Sequence, residues 1–263
     1  MGSKGISIII PTKNSGDSLE SLLKSVNLSN RLEIIVVDSH SSDRTIEVAR
    51  KYNCKILDIS GNRSRARNIG ALESKFDILL FLDSDMIIEK ETITECIDKI
   101  EFCDAIIFRE LTIGSSILAK ERRFQRIGYF HSLYLESPRC FRKDVFIALG
   151  GYDENMEGFE DLELTSRIVG KGYKIEWADS WIKHNESVLT ILDYIDKRNF
   201  YFSYRENFRK KNNKYYSKVF SIETRVTATF NSVKQYGLLR SMLLLPGLFL
   251  LLVVDTGLVF LRV

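Results

Sequence analysis

Two aspartates directly after an apolar run have the clearest chemical potential in this sequence. The run Leu79-Leu80-Phe81-Leu82 predicts a buried strand, and Asp83 and Asp85 follow it with one residue between them. Carboxylates at a strand end can share a hard divalent cation such as Mg²⁺ or Mn²⁺, which in turn binds phosphate oxygens. The same triplet also occurs in surface turns and at helix starts, so two interpretations stay open.

A second pair of aspartates follows another apolar run, residues 33–37. Asp38 comes directly after that predicted strand, where its carboxylate can accept hydrogen bonds from a base N–H or a ribose hydroxyl. Asp43 precedes a predicted helix, residues 44–52. Capping of that helix is the alternative to a role in binding a ligand.

Three arginines alternate at the start of the next predicted helix, residues 64–74. They are Arg63, Arg65 and Arg67. A helix N-terminus offers free N–H groups and a positive dipole end to phosphate, and guanidinium groups add bidentate contacts. Because alternate positions cannot share one helix face, we expect one or two of these arginines to be solvated.

Glu160 and Asp161 open another predicted helix, directly after Gly158-Phe159. One of these carboxylates can take a proton from an acceptor hydroxyl. Acidic residues are also common in the first turn of helices, where they interact favourably with the helix dipole. By themselves, the two residues therefore leave both interpretations open.

The elements that must position these residues alternate between strands and helices. Helices separate the predicted strands, which are residues 6–10, 33–37, 55–59, 78–82 and 105–108. This alternation predicts an α/β fold with a mainly parallel sheet, in which polar groups at the carboxyl ends of the strands meet in one crevice. Beyond residue 111 the pattern changes to the predicted helices 116–127 and 160–169, the short strands 140–142 and 174–178, and a helical region 189–236.

The composition is that of an ordinary globular chain. Of its 263 residues, 44% are hydrophobic and 28% are charged, and the net charge is +3. This charge is too small to indicate a nucleic-acid partner, and no cysteine or histidine spacing is typical of a zinc site. We therefore predict no nucleic-acid partner.

The apolar residues 242–261 are about long enough to cross a bilayer. Lysine and arginine are dense before this tract and only Arg262 follows it, so the positive-inside bias places the main domain in the cytoplasm. Asp255 and Pro246-Gly247 oppose a clean span, which leaves a helix within one leaflet or a helix paired with another chain as alternatives. Aromatic and basic residues are mixed in residues 189–236, as in interfacial helices; helices packed on the domain with a solvated basic face are the alternative.

Taken in order, these segments resemble the family-2 glycosyltransferases. The likeness extends over residues 6–185 and is carried by residues 8–14, residues 36–45, Arg67-Asn68-Ile69-Gly70, Asp83-Ser84-Asp85, Gly150-Gly151-Tyr152-Asp153-Glu154 and Glu160-Asp161. The resemblance implies a GT-A fold, inversion at the anomeric carbon, a nucleoside-diphosphate-sugar donor, and Mg²⁺ or Mn²⁺ as cofactor.

The resemblance also assigns roles to individual positions. Asp161 resembles the catalytic base, with Glu160 beside it, and Gly150-Gly151-Tyr152-Asp153 resembles the turn that shapes the acceptor pocket. The implied nucleotide-sugar contacts are Pro11, Asp38, Asp43, Arg67, Asp83 and Arg167. The implied metal ligands are Asp83, Asp85 and His184, with a packed histidine as the alternative for the last. One stretch departs from the family: Asp-Asp-Gly-Ser is here Asp38-Ser39-His40-Ser41.

Four segments are expected: a nucleotide-sugar-binding half, 1–110; an acceptor-binding half, 111–188; amphipathic interfacial helices, 189–236; and a hydrophobic membrane segment, 237–263. The predicted function is transfer of a sugar to a hydroxyl acceptor, either a lipid-linked saccharide or a polyprenyl-type lipid, at the cytoplasmic membrane face. A non-catalytic membrane-tethered nucleotide-sugar binder and a nucleotidyltransferase are the alternatives.

Overall fold

The structure is a computed structural model that describes residues 5–26, 31–186, 190–237 and 241. Its strands are β1 (Ile6–Thr12), β2 (Leu32–Asp38), β3 (Lys55–Asp58), β4 (Ile78–Phe81), β5 (Met86–Ile88), β6 (Ala105–Ile113), β7 (Cys140–Arg142) and β8 (Ile175–Asn185). Its helices are α1 (Gly16–Ser25), α2 (Thr45–Lys51), α3 (Arg63–Leu72), α4 (Thr92–Lys99), α5 (Ile117–Tyr129), α6 (Lys143–Ala148), α7 (Glu160–Gly170), α8 (Ile191–Ser203), α9 (Arg205–Lys211), α10 (Asn213–Val219) and α11 (Ile222–Tyr236).

The centre of the sheet consists of continuous apolar strands, as the sequence predicts. β1 pairs in parallel with β2 and β4, and β2 pairs in parallel with β3. In this register Thr12 lies opposite Asp38, and Asp38 lies opposite Asp58. The carboxyl ends of three neighbouring strands are therefore level, and the polar residues that follow them lie at one edge of the sheet.

The prediction of a mainly parallel sheet is correct for β3-β2-β1-β4 and wrong beyond β4. The full strand order is β3-β2-β1-β4-β7-β6-β8-β5. β7 pairs antiparallel with both β4 and β6, so the sheet is mixed. A single helix commonly connects two parallel neighbouring strands, but β5, α4, β6 and α5 all lie between β4 and β7.

Several elements differ from their predicted bounds. β6 and β8 are longer than expected, and the three-residue β5 was not predicted because it is too short to give a periodic pattern. Within the predicted helical region 189–236, the described residues 190–236 form four helices, since polar caps start new helices there. The Thr190, Asn212 and Ser221 side chains accept N–H groups at the starts of α8, α10 and α11.

The chain divides into two compact units. Unit 1 comprises residues 1–109 and 137–183, and unit 2 comprises residues 110–136 and 184–263. In unit 1, Ile8 and Ile10 belong to one buried cluster and Ile9 to the other, as expected for a sheet covered on both faces. The four predicted segments have different bounds from these units, and that division stays a prediction.

Unit 2 contains a close helix pair. α5 packs on α11, and a Cβ atom added to Gly128 would lie 2.0 Å from the carbonyl oxygen of Ala228. Only glycine therefore allows this approach.

Within the described residues, no helix has both the length and the apolar character that a membrane crossing requires. The predicted membrane tract, residues 242–261, lies outside the described residues.

Candidate active site

The carboxylate of Asp83 lies between two guanidinium groups. Asp83 follows β4 and opens a tight turn, in which the N–H of Met86 donates to the Asp83 carbonyl at 3.1 Å. Asp83 Oδ1 accepts a hydrogen bond from Arg67 Nη2 at 2.5 Å, and Oδ2 accepts one from Arg139 Nη1 at 3.4 Å. Asp85 lies on the same turn and is partly exposed. The turn thus presents two carboxylates at the end of β4.

Arg67 also contacts Glu160, so charges alternate along a chain of five side chains. Arg67 Nη1 donates to Glu160 Oε1 at 3.1 Å, and Arg63 Nη2 donates to the same oxygen at 2.6 Å. The side chains of Arg67 and Glu160 are only 4% and 3% exposed. Buried charges of this kind need opposite charges beside them. We refer to Arg139, Asp83, Arg67, Glu160 and Arg63 as the ion-pair chain.

Two of the three alternating arginines on α3 thus belong to the ion-pair chain. Arg65 is the third, and its guanidinium lies 3.4 Å from Glu154, with the two side chains 53% and 42% exposed. The expectation that one or two of the three are solvated is confirmed for Arg65.

Asp161 follows Glu160, a member of the ion-pair chain, at the start of α7. The residue before Glu160, Phe159, has φ = +65°, a conformation that is uncommon for a bulky residue and is found more often at functional sites. Burial raises the pKa of Asp161 and the neighbouring Glu160 raises it further, while Arg139 and Arg63 oppose the shift. A carboxylate with a raised pKa is a stronger proton acceptor, as a general base requires.

The Gly150-Gly151 turn is held by α7 and α3. Arg167 Nη2 donates to the carbonyl of Gly151 at 2.7 Å, Nη1 donates to the carbonyl of Leu149, and Glu163 pairs with the same guanidinium. Holding this turn is the role that these contacts give to Arg167. Its predicted contact with a diphosphate stays a prediction.

Asn68 fixes the other side of the turn. Its Oδ1 accepts from the N–H of Tyr152 and its Nδ2 donates to the carbonyl of Tyr152, both at 2.8 Å. A Cβ atom on Gly151 would lie 2.5 Å from Asn68 Oδ1, and Gly151 has φ = +66°. The guanidinium of Arg67 lies 5.1 Å from the centre of the buried Tyr152 ring. The turn is therefore in contact with the ion-pair chain.

At the ends of β1 and β2, the carboxylate of Asp38 organises the loop that follows it. Asp38 Oδ1 accepts from Thr12 Oγ1 at 2.8 Å and from Ser41 Oγ at 2.6 Å, and Oδ2 accepts from the N–H of Ser41 at 2.7 Å. Pro11 lies in β1 and is partly exposed. Asp38 thus shapes this edge of the sheet from a buried position.

Asp43 joins the starts of two helices. Its carboxylate accepts from the N–H of Gly16 and from the N–H of Thr45, both at 3.0 Å, and the Thr45 hydroxyl lowers its pKa. The residue at the N-cap of α2 is Arg44 rather than Asp43. The capping interpretation is nevertheless the one that these contacts support, because Asp43 accepts the first N–H of α2.

His184 lies in unit 2, where its Nε2 is 2.9 Å from Glu110 Oε2, and Glu110 also pairs with Arg126. Its ring is buried. These contacts support the packed-histidine alternative, and a role for His184 as metal ligand stays a prediction.

Sequence reasoning did not identify Arg139. A single charged residue beside a short apolar strand gives no local signal, and only the pairing of β7 with β4 brings it to Asp83. The contacts of Asn68 were also not predicted, although Asn68 lies within Arg67-Asn68-Ile69-Gly70, one of the segments that carry the family resemblance.

Residues 7–149 match the sequence profile of Glycosyl transferase family 2, which is more than half of the chain. The chain belongs to this family. The predicted family is thereby confirmed.

Curated relatives of this family-2 chain are bacterial glycosyltransferases. The O-antigen chain rhamnosyltransferase WbaN of Salmonella anatum is 27% identical over 212 residues, which are 68% of this chain and 66% of WbaN. The 4,4'-diaponeurosporenoate glycosyltransferase of Staphylococcus haemolyticus is 39% identical over 103 residues, which are 36% of this chain and 28% of that protein. The chain thus spans just under two thirds of the first relative and a smaller part of the second.

Solved structures show the same fold. Residues 1–349 of S. aureus TarS in complex with UDP-GlcNAc have a TM-score of 0.59 at 17% identity, covering 88% of this chain and 80% of that one. The mannosyltransferase PcManGT from Pyrobaculum calidifontis, in complex with GDP-Man and Mn²⁺, has a TM-score of 0.58 at 17% identity and covers 94% of this chain and 80% of that one. The predicted GT-A fold is confirmed, with a mixed sheet.

Proposed function

We propose that this protein is an inverting glycosyltransferase that moves a sugar from a nucleoside-diphosphate sugar to a hydroxyl acceptor. One observation carries the proposal: the ion-pair chain connects Asp83, at the carboxyl end of β4, to Glu160, the residue beside Asp161. A group suited to the donor and a group suited to proton transfer are thereby held in one rigid arrangement.

In this mechanism Asp161 accepts the proton of the acceptor hydroxyl as its oxygen attacks the anomeric carbon. The bond from that carbon to the diphosphate oxygen breaks on the opposite side, so the configuration inverts and the nucleoside diphosphate leaves. Glu160, which is buried between Arg63 and Arg67, orients the start of α7. Its buried ion pairs favour a positioning role over the catalytic role predicted from the sequence.

The chemistry of Asp83 and Asp85 fits Mg²⁺ or Mn²⁺. Both ions prefer oxygen ligands, and Mg²⁺ is commonly held by one or two carboxylates together with substrate phosphates and water. In the part of the chain that the structure describes, no group of three or more His, Cys, Asp or Glu residues could hold a metal alone. When bound, the ion would offset negative charge on the departing diphosphate.

The donor class has the support of two structural neighbours. TarS is in complex with UDP-GlcNAc, and PcManGT is in complex with GDP-Man and Mn²⁺. The two donors share a nucleoside diphosphate and differ in base and sugar. The shared chemistry is what we propose for this chain.

The donor is tested by a panel of UDP-, GDP- and dTDP-sugars, each with Mn²⁺ or with EDTA, in which released nucleoside diphosphate is quantified. We expect metal-dependent release from one donor. Asp161→Asn should keep donor binding and lose transfer by at least about 100-fold, because general-base catalysis contributes that much or more. Transfer at the wild-type rate by Asp161→Asn would show that another group is the base.

We also propose that the acceptor is lipid-linked and that the protein acts at the cytoplasmic face of a membrane. On α11, the exposed residues Ile222, Val226 and Phe230 recur every four residues and so lie on one face. The apolar tract 242–261 follows this helix in the sequence, and basic residues precede it. An exposed apolar stripe that precedes such a tract in the sequence is typical of a helix at a membrane surface.

The membrane contact is tested with an environment-sensitive fluorophore attached to the full-length protein through cysteines placed at positions 226 and 235. In vesicles containing anionic lipid, spin-labelled lipids should quench the fluorophore at Val226→Cys and leave the matched control Gln235→Cys unaffected, since Gln235 is exposed on the opposite side of α11. Equal quenching at both positions, or none at either, would contradict contact through this face of α11.

A further inference from the structure

His40 occupies the point at which this chain departs from the family-2 pattern. It stands in place of the glycine in the Asp-Asp-Gly-Ser stretch and has φ = +53°, in the left-handed region that glycine adopts without strain. Histidine at this position is therefore less favourable in free energy than glycine, because its backbone is held in the left-handed conformation. Strain of this kind is often found where a side chain contributes to function.

Polar contacts at both ring nitrogens restrict the orientation of the His40 imidazole. Nδ1 lies 2.9 Å from Asp58 Oδ1, and Nε2 lies 2.8 Å from Ser60 Oγ. The side chain is nevertheless 60% exposed. Because Asp58 at the end of β3 and Ser60 beyond it hold the two nitrogen edges, the faces of the ring remain the part that another molecule can contact.

The loop that carries the ring follows the carboxyl end of β2. Asp38, two residues before His40, is level with Thr12 and Asp58 at the carboxyl ends of three parallel strands. Open α/β sheets bind their ligands outside these strand ends. Histidine is among the side chains that stack on nucleobases.

We propose that the imidazole ring of His40 stacks on the base of the donor nucleotide and contributes to the choice among nucleotides. This inference rests on the proposed function, since it names a residue that reads the donor. The competing explanation is that the contact between His40 and Asp58 only connects the loop after β2 to the end of β3.

The test measures binding of UDP, GDP, CDP, dTDP and inorganic pyrophosphate to the full-length protein by calorimetry. The variant is His40→Gly, which keeps the backbone conformation and removes the ring. The matched control is Asn53→Gly, which makes the same backbone change at another left-handed residue, φ = +54°, in the turn before β3.

We expect His40→Gly to weaken binding of the preferred nucleoside diphosphate on the order of tenfold, the scale of base–aromatic stacking. The ratio of affinities among the bases should narrow, and pyrophosphate affinity should stay unchanged because pyrophosphate has no base. Asn53→Gly should leave every affinity unchanged. If His40→Gly does not fold, His40→Asn, which tolerates the left-handed conformation, should show the same loss.

Unchanged or tighter nucleotide binding by His40→Gly would overturn the inference, as would an equal loss of pyrophosphate binding. Failure of the proposed function gives a different result, namely a wild-type protein that binds none of the four nucleoside diphosphates.

Discussion

Replacement of Glu160 by glutamine should destabilise unit 1 by about 3 kcal/mol. Glutamine keeps the volume of the side chain and removes its charge. Arg67 is almost fully buried and would lose one of its two carboxylate partners, while Arg63 would lose its contact at 2.6 Å. Removal of one member of a buried ion pair costs about 3–5 kcal/mol, and the lower value applies because Asp83 continues to neutralise Arg67.

The chain offers a suitable probe for this measurement. Its only two tryptophans, Trp177 and Trp181, both lie on β8 within unit 1. Urea unfolding followed by tryptophan fluorescence therefore reports the unit that contains the ion-pair chain. A loss of about 3 kcal/mol corresponds to a midpoint lower by about 1–3 M urea for the usual range of m values.

The matched control is Glu73→Gln, which removes an exposed ion pair with Lys55 in the same unit. Exposed pairs contribute less than about 1 kcal/mol. If Glu160→Gln cost no more than this control, at an unchanged m value, the ion-pair chain would not be a stabilising feature, and the cost of desolvating Glu160 would offset its pairing.

Three other outcomes follow from burial and close contact. Because burial raises the pKa of Asp161, a pH–rate profile should show transfer declining on acidification at a higher pH than the ordinary aspartate value of about 4. Burial raises the pKa of Glu121 to about 7. The contribution of this group to the free energy of unfolding is therefore fully present below its pKa in the unfolded chain and is lost as the pH rises through about 7. Glu121→Gln should therefore raise the free energy of unfolding by up to about 3 kcal/mol at pH 8 and by under about 1 kcal/mol at pH 5, measured by circular dichroism in urea. Gly70→Ala should cost about 1–3 kcal/mol in thermal melts, since its Cβ would lie 2.5 Å from Ile9 Cγ2, whereas Gly170→Ala, with no atom within 4 Å, should not destabilise the protein.

A different result would contradict each of these three predictions. An acid limb at the ordinary aspartate value would show that Asp161 is not the group that limits transfer. Equal gains for Glu121→Gln at both pH values would show that its charge is not the cause. Equal costs for the two glycine substitutions would exclude the close approach of α3 to the sheet.

The central strands could be predicted because their residues carry the signal themselves. The apolar, largely β-branched runs of β1 and β2 are buried on both faces, and the predicted bounds differ from the observed ones by two residues or fewer. Asp38 and Asp83 could be placed for a similar reason, since each directly follows an apolar run, residues 33–37 and 79–82.

The ion-pair chain could not be predicted, because its members are brought together by distant parts of the sequence. Arg67 and Glu160 are 93 residues apart, and Asp83 and Arg139 are 56 residues apart. Glu160 looked like an ordinary first-turn acid or a catalytic group for the same reason. Its buried ion pairs depend on the placement of α3 beside the start of α7, on which local patterns carry no information.

The place of β7 in the sheet has a consequence for synthesis of the chain. β7 covers the second edge of β4, whose residues Ile78–Phe81 are all apolar and buried in the folded protein. At ribosomal rates of about 5–20 residues per second, the roughly 60 residues between the two strands take about 3–12 s to emerge. During that interval the nascent chain exposes an unpaired apolar edge, which is a template for intermolecular pairing. The yield of folded protein should therefore depend on elongation speed between β4 and β7, and on chaperones that shield this edge.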